Sequence, residues 1–530
     1  MNEKSPKTII IVMKRLKNSP FFLALLLCVN FLSCKNEEKT GENSVLPNIL
    51  FIPVDDLRPE LGVYGNPYIK TPNIDRLAEQ GVAFTRAYCQ QAVCNPSRAS
   101  LLTGLRPDSI QVWDLATRLR DKVPNVVTLP QYFKQNGYIT IGLGKTFHND
   151  IQDSVSWTER THLEGFPFDP DAVYASKLNL DIQEAKKQKL IAQGKIRLDP
   201  LGQWYLKANS TENADVPDDA YYDGAQTTYA LDKLEELAVQ GKPFFLSVGY
   251  YKPHLPFNAP KKYWDLYDRD SVPIAENQYI PKGSPSFTVH GDQEPRYYDD
   301  NHELPKPTEA PWSEDRQRQM KHAYYASVSY IDAQIGRLYN QLEKLKLLDN
   351  TIIVLWGDHG WKLGEHNGWG KMSNYEIDAR VPMIVSGAKV KAKGQKSNAL
   401  TELVDIYPSL CEMSGLPIPE YLHGKNFVPL LTNPGKEWKT AAYSQFLLGR
   451  FGPLETREEE RMGYSVKTDR YRYTKWYKWN KEEEQKGEFI TSELYDHAND
   501  PQENFNVAQK PTNLDVVNQL TQELDKNFQP

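Results

Sequence analysis

Asn48–Val54 (NILFIPV) is a short, nearly continuous apolar run that stops on two adjacent carboxylates, Asp55 and Asp56. A strand apolar on both faces must be covered on both faces, which suits a parallel sheet inside an α/β fold. The pattern recurs at residues 138–143 (YITIGL), 243–250 (PFFLSVGY), 351–356 (TIIVLW) and 381–385 (VPMIV). Helical patterns separate these runs. Residues 71–81 (TPNIDRLAEQG) carry a capping Thr, Pro at the first helical position and a terminal Gly. The longest helical pattern covers about residues 313–348. Strands alternating with helices predict an α/β fold: a mostly parallel sheet with helices on both faces.

The texture changes after about residue 415. Residues 463–467 and 470–477 read as two strands around a Thr468-Asp469 turn, followed by the charged, exposed run 481–486 (KEEEQK) and a late helix near 513–524. We therefore expect a catalytic domain over 47–415 and a smaller antiparallel α+β subdomain over 416–530. Residues 150–223 are polar and irregular and read as an insertion near the mouth of the site.

The N-terminus reads as an export signal. Residues 1–33 hold five basic residues against one acidic residue and end in an apolar stretch, 21–33 (FFLALLLCVNFLS), too short to span a bilayer. Phe31-Leu32-Ser33-Cys34 resembles a bacterial lipobox, so residues 1–33 are expected to be removed. Cys34 would become the lipidated first residue of a tether running to residue 46. An ordinary secretory signal with an incidental cysteine is the alternative. The formal charge of −6 gives nucleic acid no support as a partner, and removing the basic leader makes the chain more acidic still. Of five cysteines, Cys28 leaves with the signal and Cys34 takes the lipid. Cys89, Cys94 and Cys411 are too few for a disulfide framework, although a Cys89–Cys94 pair is conceivable.

Open α/β sheets bind ligands at the carboxyl ends of their strands. Four predicted strands end there in polar groups: Asp55-Asp56, Lys145 with His148, His254, and Asp358-His359. Gathering two acidic clusters in one place is unfavourable unless a cation sits between them. An oxygen-rich set favours a hard divalent ion, calcium or magnesium, for which His359 is an awkward ligand.

Cys94-Asn95-Pro96-Ser97-Arg98, completed by Thr103-Gly104, resembles the sulfatase signature C-x-P-S-R-x-x-x-x-T-G. In that family the cysteine is oxidised to a formylglycine aldehyde. The segments VDDLRPELGVYG, QQAVCNPSR, GLGKTFH, GYYKPHLPF and GDHGWKLGEHNGWGKMSNYE resemble the iduronate 2-sulfatase branch, where aspartate-histidine replaces the commoner aspartate-asparagine. The resemblance runs from Asn48 to the C-terminal ELYDHANDPQEN. It implies an alkaline-phosphatase-like fold and one calcium ion held by Asp55, Asp56, Asp358, His359 and the modified Cys94.

It also implies roles for the remaining residues. Arg98, Lys145 and Lys371 would neutralise the sulfate oxygens. Asp358 would help to deprotonate the attacking hydroxyl of hydrated formylglycine, and His254 and Lys371 would assist the leaving alkoxide. His148 would take the proton from the second hydroxyl, so that sulfate is expelled without water attacking sulfur. Trp361, Trp369 and Tyr375 are candidates for stacking on sugars, and His366 and Arg380 for binding a carboxylate. The expected partners are a sulfated, uronic-acid-containing oligo- or polysaccharide, a formylglycine-generating enzyme, and the outer membrane through Cys34. Ulvan, a sulfated rhamnose–uronate polymer of green algae, is the favoured substrate, ahead of the glycosaminoglycans. Two other readings stay open: a phosphatase or phosphodiesterase of the same superfamily, and a non-catalytic glycan-binding lipoprotein with Cys94 left unmodified.

Overall fold

A computed structural model describes residues 46–149, 151–167, 170, 173–199, 202–288, 294–449 and 459–528. The expected leader, Cys34 and nearly all of the tether lie outside the described residues. Leu46–Pro530 form one compact unit holding two main sheets.

The central sheet contains β1 (Asn48–Val54), β2 (Gly81–Tyr88), β3 (Ile139–Gly144), β4 (Glu159–Thr161) and β5 (Phe244–Gly249). It is completed by β6 (Thr351–Gly357), β7 (Arg380–Gly387), β8 (Gln395–Ser397) and β9 (Thr401–Glu402). The order is β8-β2-β7-β6-β1-β5-β3-β4, with β9 also on β2. Every pairing is parallel except those of β7, which runs against both β6 and β2. The sheet is therefore mostly parallel, as the apolar runs predict. β7 reverses because the chain turns back at the same edge after β6, and antiparallel neighbours need no crossover.

Alternation along the strands divides the core in two. Leu50, Ile52 and Val54 of β1, with Ile353 and Leu355 of β6, pack against three helices: α1 (Pro72–Glu79), α4 (Tyr222–Gln240) and α5 (Glu314–Lys344). Ile49 and Phe51, with Ile352, Val354 and Trp356, pack on the other face against α2 (Cys94–Thr103) and α6 (Ile406–Met413). Between α2 and α4, the segment read as irregular contains α3 (Lys177–Ala192). Among the described residues no helix is long and apolar enough to cross a membrane.

The second sheet is an antiparallel meander of β10 (Ala441–Leu448), β11 (Arg461–Thr468), β12 (Tyr471–Asn480) and β13 (Gln485–Asp496). Helix α7 (Leu514–Asn527) packs on it through Leu520 and Leu524. β10 also touches the chain just before Cys94, where Ser444 Oγ donates to Cys89 O (2.6 Å) and Gln445 N to Gln90 O (2.8 Å).

Candidate active site

β1 and β6 pair in register, Val54 opposite Gly357, so Asp55-Asp56 and Asp358-His359, which follow them, emerge side by side. Asp56 N donates to Asp358 Oδ1 (3.1 Å), and Asp55, Asp56, Asp358 and His359 are all fully buried. The same edge receives Lys145 and His148 after β3, His254 after β5, Cys94 after β2, and Lys371 in the turn between β6 and β7.

The cysteine motif builds the centre of this edge. Cys94 opens α2, Ser97 Oγ donates to Asp358 O (2.5 Å), and Thr103 Oγ1 donates to Ala99 O (2.8 Å). Gly104 ends the helix at φ +69°, and a Cβ there would meet Leu422 Cδ2 at 2.5 Å. Arg98 Nε donates to Asp358 Oδ2 (2.8 Å), Nη2 to Asp55 Oδ1 (3.2 Å), and Nη1 to Lys145 O. One guanidinium thus ties the ends of three strands.

Charges alternate through the cluster. Lys145 Nζ is 2.5 Å from Asp55 Oδ2, and Lys371 Nζ is 2.7 Å from Asp56 Oδ1 and 3.3 Å from Cys94 Sγ. Burial alone would raise Asp55, but Lys145, His254 and Arg98 more than offset it and hold the carboxyl well below the usual range. Burial leaves Asp56 raised despite Lys371, and its Oδ2 has no hydrogen-bond partner among the described residues. Burial and then Asp55 push the Cys94 thiol well above its ordinary value, so an unmodified cysteine is a poor nucleophile here. Burial and Lys145 push His148 well below its ordinary value, and its Nδ1 has no hydrogen-bond partner among the described residues.

The donor set fits a hard divalent cation. Asp55, Cys94, Asp358 and His359 each place a ligand atom within 4.8 Å of the others. His359 Nε2 lies 3.5 Å from Asp56 Oδ1 and 3.6 Å from Asp358 Oδ1. Four buried groups with converging ligand atoms, two of them carboxylates, are what a cation would satisfy, and Asp56, whose Oδ1 is 3.5 Å from His359 Nε2, borders them.

Residues 47–416 match the family model described as Sulfatase, and 364–529 match that of the N-sulphoglucosamine sulphohydrolase C-terminal region. The chain belongs to the sulfatase family. It is a sulfuric ester hydrolase. Iduronate 2-sulfatase of Homo sapiens is 32% identical over 92% of this sulfatase and 95% of the relative. An ulvan-active sulfatase of Formosa agariphila is 29% identical over 96% of this chain and 86% of its own. The solved structure of BT4656 with its substrate D-glucosamine-2-N,6-O-disulfate has the same fold (TM-score 0.68, 23% identity, 91% of this chain and 97% of that one).

Two residues that the sequence did not single out complete the sulfatase site. Glu294 places Oε1 2.7 Å from His254 Nε2 and Oε2 3.5 Å from Lys371 Nζ. Burial would raise it, but Lys371 and His254 hold it well below the usual carboxylate range. Asp223 accepts from Tyr251 N (3.0 Å) and Lys252 N (2.8 Å), fixing the turn that presents His254; burial lifts its carboxyl to about 6. Neither lies in a strand-end motif, so neither carried a signal in the sequence.

Several candidate sugar or carboxylate contacts have partners within the protein. Trp369 is buried and stacks on Trp312 at 4.8 Å, while buried Trp361 lies 5.2 Å beneath Lys371 Nζ. Tyr375 is buried, its hydroxyl 3.3 Å from Ser284 Oγ and from Glu493 Oε1. His366 Nε2 bonds Gln502 O (2.8 Å), and Arg380 Nε donates to Thr85 O (2.8 Å) on β2. The conceivable Cys89–Cys94 bridge is not formed: Cys89, Cys94 and Cys411 are all free thiols.

Proposed function

We propose that the enzyme hydrolyses sulfate esters on a sulfated, uronic-acid-containing polysaccharide or its oligosaccharides, using a formylglycine made from Cys94 and one calcium ion. The observation that carries this reading is the convergence on Cys94 Sγ of His359 Nε2 (3.2 Å) and Lys371 Nζ (3.3 Å) at the start of a buried helix. Likeness to the iduronate and ulvan-active enzymes supports the substrate class and favours an ulvan-type polymer.

Oxidised to the aldehyde and hydrated, residue 94 would supply two hydroxyls on one carbon, one to attack sulfur and one to expel sulfate. Asp55, Asp56, Asp358, His359 and residue 94 would hold calcium, which supplies Lewis acidity toward the sulfate oxygens. The chain's own cations do the remaining electrostatic work. Lys371 and Lys145 face the thiol position and stabilise charge that builds on the sulfate oxygens. Arg98 is committed to Asp55 and Asp358 and holds the acidic floor in place. His148, kept uncharged by burial and Lys145, is suited to take a proton from the second hydroxyl. His254 and Lys371 stand at the leaving-group side.

The mature chain is proposed to start at Cys34 and to sit on the outer membrane through a lipid there, after a formylglycine-generating enzyme has acted on Cys94. Sulfate release from defined ulvan and glycosaminoglycan oligosaccharides, together with the mass of the peptide containing residue 94, tests the proposal. Turnover with an unmodified Cys94 would overturn it.

A further inference from the structure

Glu294 is the outermost member of a three-residue cluster: its side chain is 18% exposed, against 9% for His254 and 3% for Lys371. It belongs to neither a strand nor a helix; it precedes the short turn Pro295–Tyr297. Its contacts engage the two groups assigned to the leaving oxygen. His254 Nδ1 is 2.7 Å from Leu255 O, the carbonyl of the next residue, and Nε2 is 2.7 Å from Glu294 Oε1. A carbonyl and a carboxylate only accept, so a hydrogen on either ring nitrogen is directed at a protein oxygen. The Leu255 bond is local to the turn and stays. A proton for a leaving alkoxide must therefore come from Nε2, and that requires the Glu294 contact to break.

The same carboxylate reaches Lys371 at 3.5 Å through its other oxygen. Neither partner depends on Glu294 for its position. Lys371 is held by Asp56 at 2.7 Å, and the turn after it is anchored where Ser373 Oγ (2.5 Å) and Lys362 Nζ donate to Asp378 Oδ2. The His254 ring keeps its Leu255 bond. A two-oxygen anion lying across a histidine and a lysine that hold their places without it is where one end of a sulfate ester would lie.

Resting on the sulfatase reading above, we propose that Glu294 is a specificity-determining residue: in the free enzyme its carboxylate occupies the leaving-group side of the pocket, and a substrate binds by replacing it on His254 and Lys371. An ester that offers little besides its sulfate pays this displacement in full. A sugar with further polar contacts recovers it.

The experiment compares wild type with Glu294→Gln, measuring the Kd of inorganic sulfate by calorimetry and kcat/KM for 4-nitrophenyl sulfate and for a sulfated disaccharide. In the variant, sulfate should bind about fivefold more tightly, the scale of one partly exposed charge pair. KM should fall for both esters, and more for the aryl sulfate. Glu294→Asp withdraws the charge by one methylene, should shift sulfate binding in the same direction, and decides the matter if the Gln variant does not fold. Unchanged or weaker sulfate binding would overturn the proposal, as would a fall in kcat matching that of His254→Ala at constant KM, which would make Glu294 an orienting residue. Wild type inert toward every sulfate ester would instead overturn the sulfatase reading, while the sulfate titration still decides the role of Glu294.

Discussion

His359 Nε2 lies 3.2 Å from Cys94 Sγ, although 265 residues separate them. The contact is set by two separate structures. In-register pairing of β1 and β6 delivers His359 beside Asp55 and Asp56, and Ser97 and Arg98 of α2 lock onto Asp358. Residue 94 thus shares one buried pocket with the acidic groups.

Cys94→Ala should abolish turnover while changing stability by no more than about 1 kcal/mol, since it removes one atom whose two neighbours keep other partners, Lys371 on Asp56 and His359 on Gly360 O. In active wild type, the peptide spanning residue 94 should carry the aldehyde mass. Retained sulfatase activity in the alanine variant would sink the assignment.

Calcium should raise the melting temperature and a chelator should lower it, because a ligand bound only by the native state stabilises that state. Asp55→Asn should abolish this response. It should also destabilise the protein by about 3–5 kcal/mol, because it leaves Arg98 and Lys145 buried without their shared carboxylate. A melt indifferent to both calcium and chelator would refute the cation site.

Acid should loosen the seam between the segment before β7 and the second sheet, where Glu376 N donates to Glu503 Oε2 (2.6 Å). Buried Glu503 accepts from Arg472 Nε (2.8 Å) and bonds His497 Nε2 (2.8 Å). Burial opposes ionisation, but Arg472 and His497 bring its carboxyl from 4.5 to about 2. A carboxyl lowered in the folded state contributes stability that is complete above 4.5 and is lost as pH falls from there toward 2. Urea unfolding followed from neutrality down through this window should show the loss, and Glu503→Gln should flatten it. An unchanged slope in the variant would assign the acid sensitivity elsewhere.

The parts legible in the sequence are those whose physics is local. β1, β3, β5 and β6 are continuous apolar runs because both faces are covered, and their polar ends mark the edge where the site lies. β2 is hard to read because Thr85 and Arg86 interrupt its run, and β13 (QKGEFITSELYD) because charges fall in both halves and its first half is largely solvent-facing. The reversal of β7 depends on the path of the Lys371 turn, which no residue pattern encodes. Glu294 was invisible because its partners, His254 and Lys371, are remote in the chain. Trp361 and Trp369 misled for the opposite reason: a tryptophan beside a catalytic motif reads the same whether it faces a sugar or the core.

The division of labour around Cys94 gives the sharpest test of the mechanism. If His254 and Lys371 assist the leaving group, replacing either should most harm natural sugar sulfates, whose alkoxides leave poorly without a proton or countercharge. An activated aryl sulfate, whose phenoxide leaves readily, should suffer much less. General acid–base help contributes on the order of 100- to 10,000-fold, so the contrast between the two esters should be large enough to read. His148 stands apart from that pair. It is held neutral by burial and Lys145, with its Nδ1 unpartnered among the described residues. His148→Ala should therefore slow sulfate release whichever ester is offered, leaving labelled sulfate attached to the protein after denaturation. If all three residues only bind sulfate, both esters lose activity by similar factors in every variant and no label is retained. Equal losses for aryl and sugar sulfates in His254→Ala would remove its leaving-group role and leave the family assignment standing.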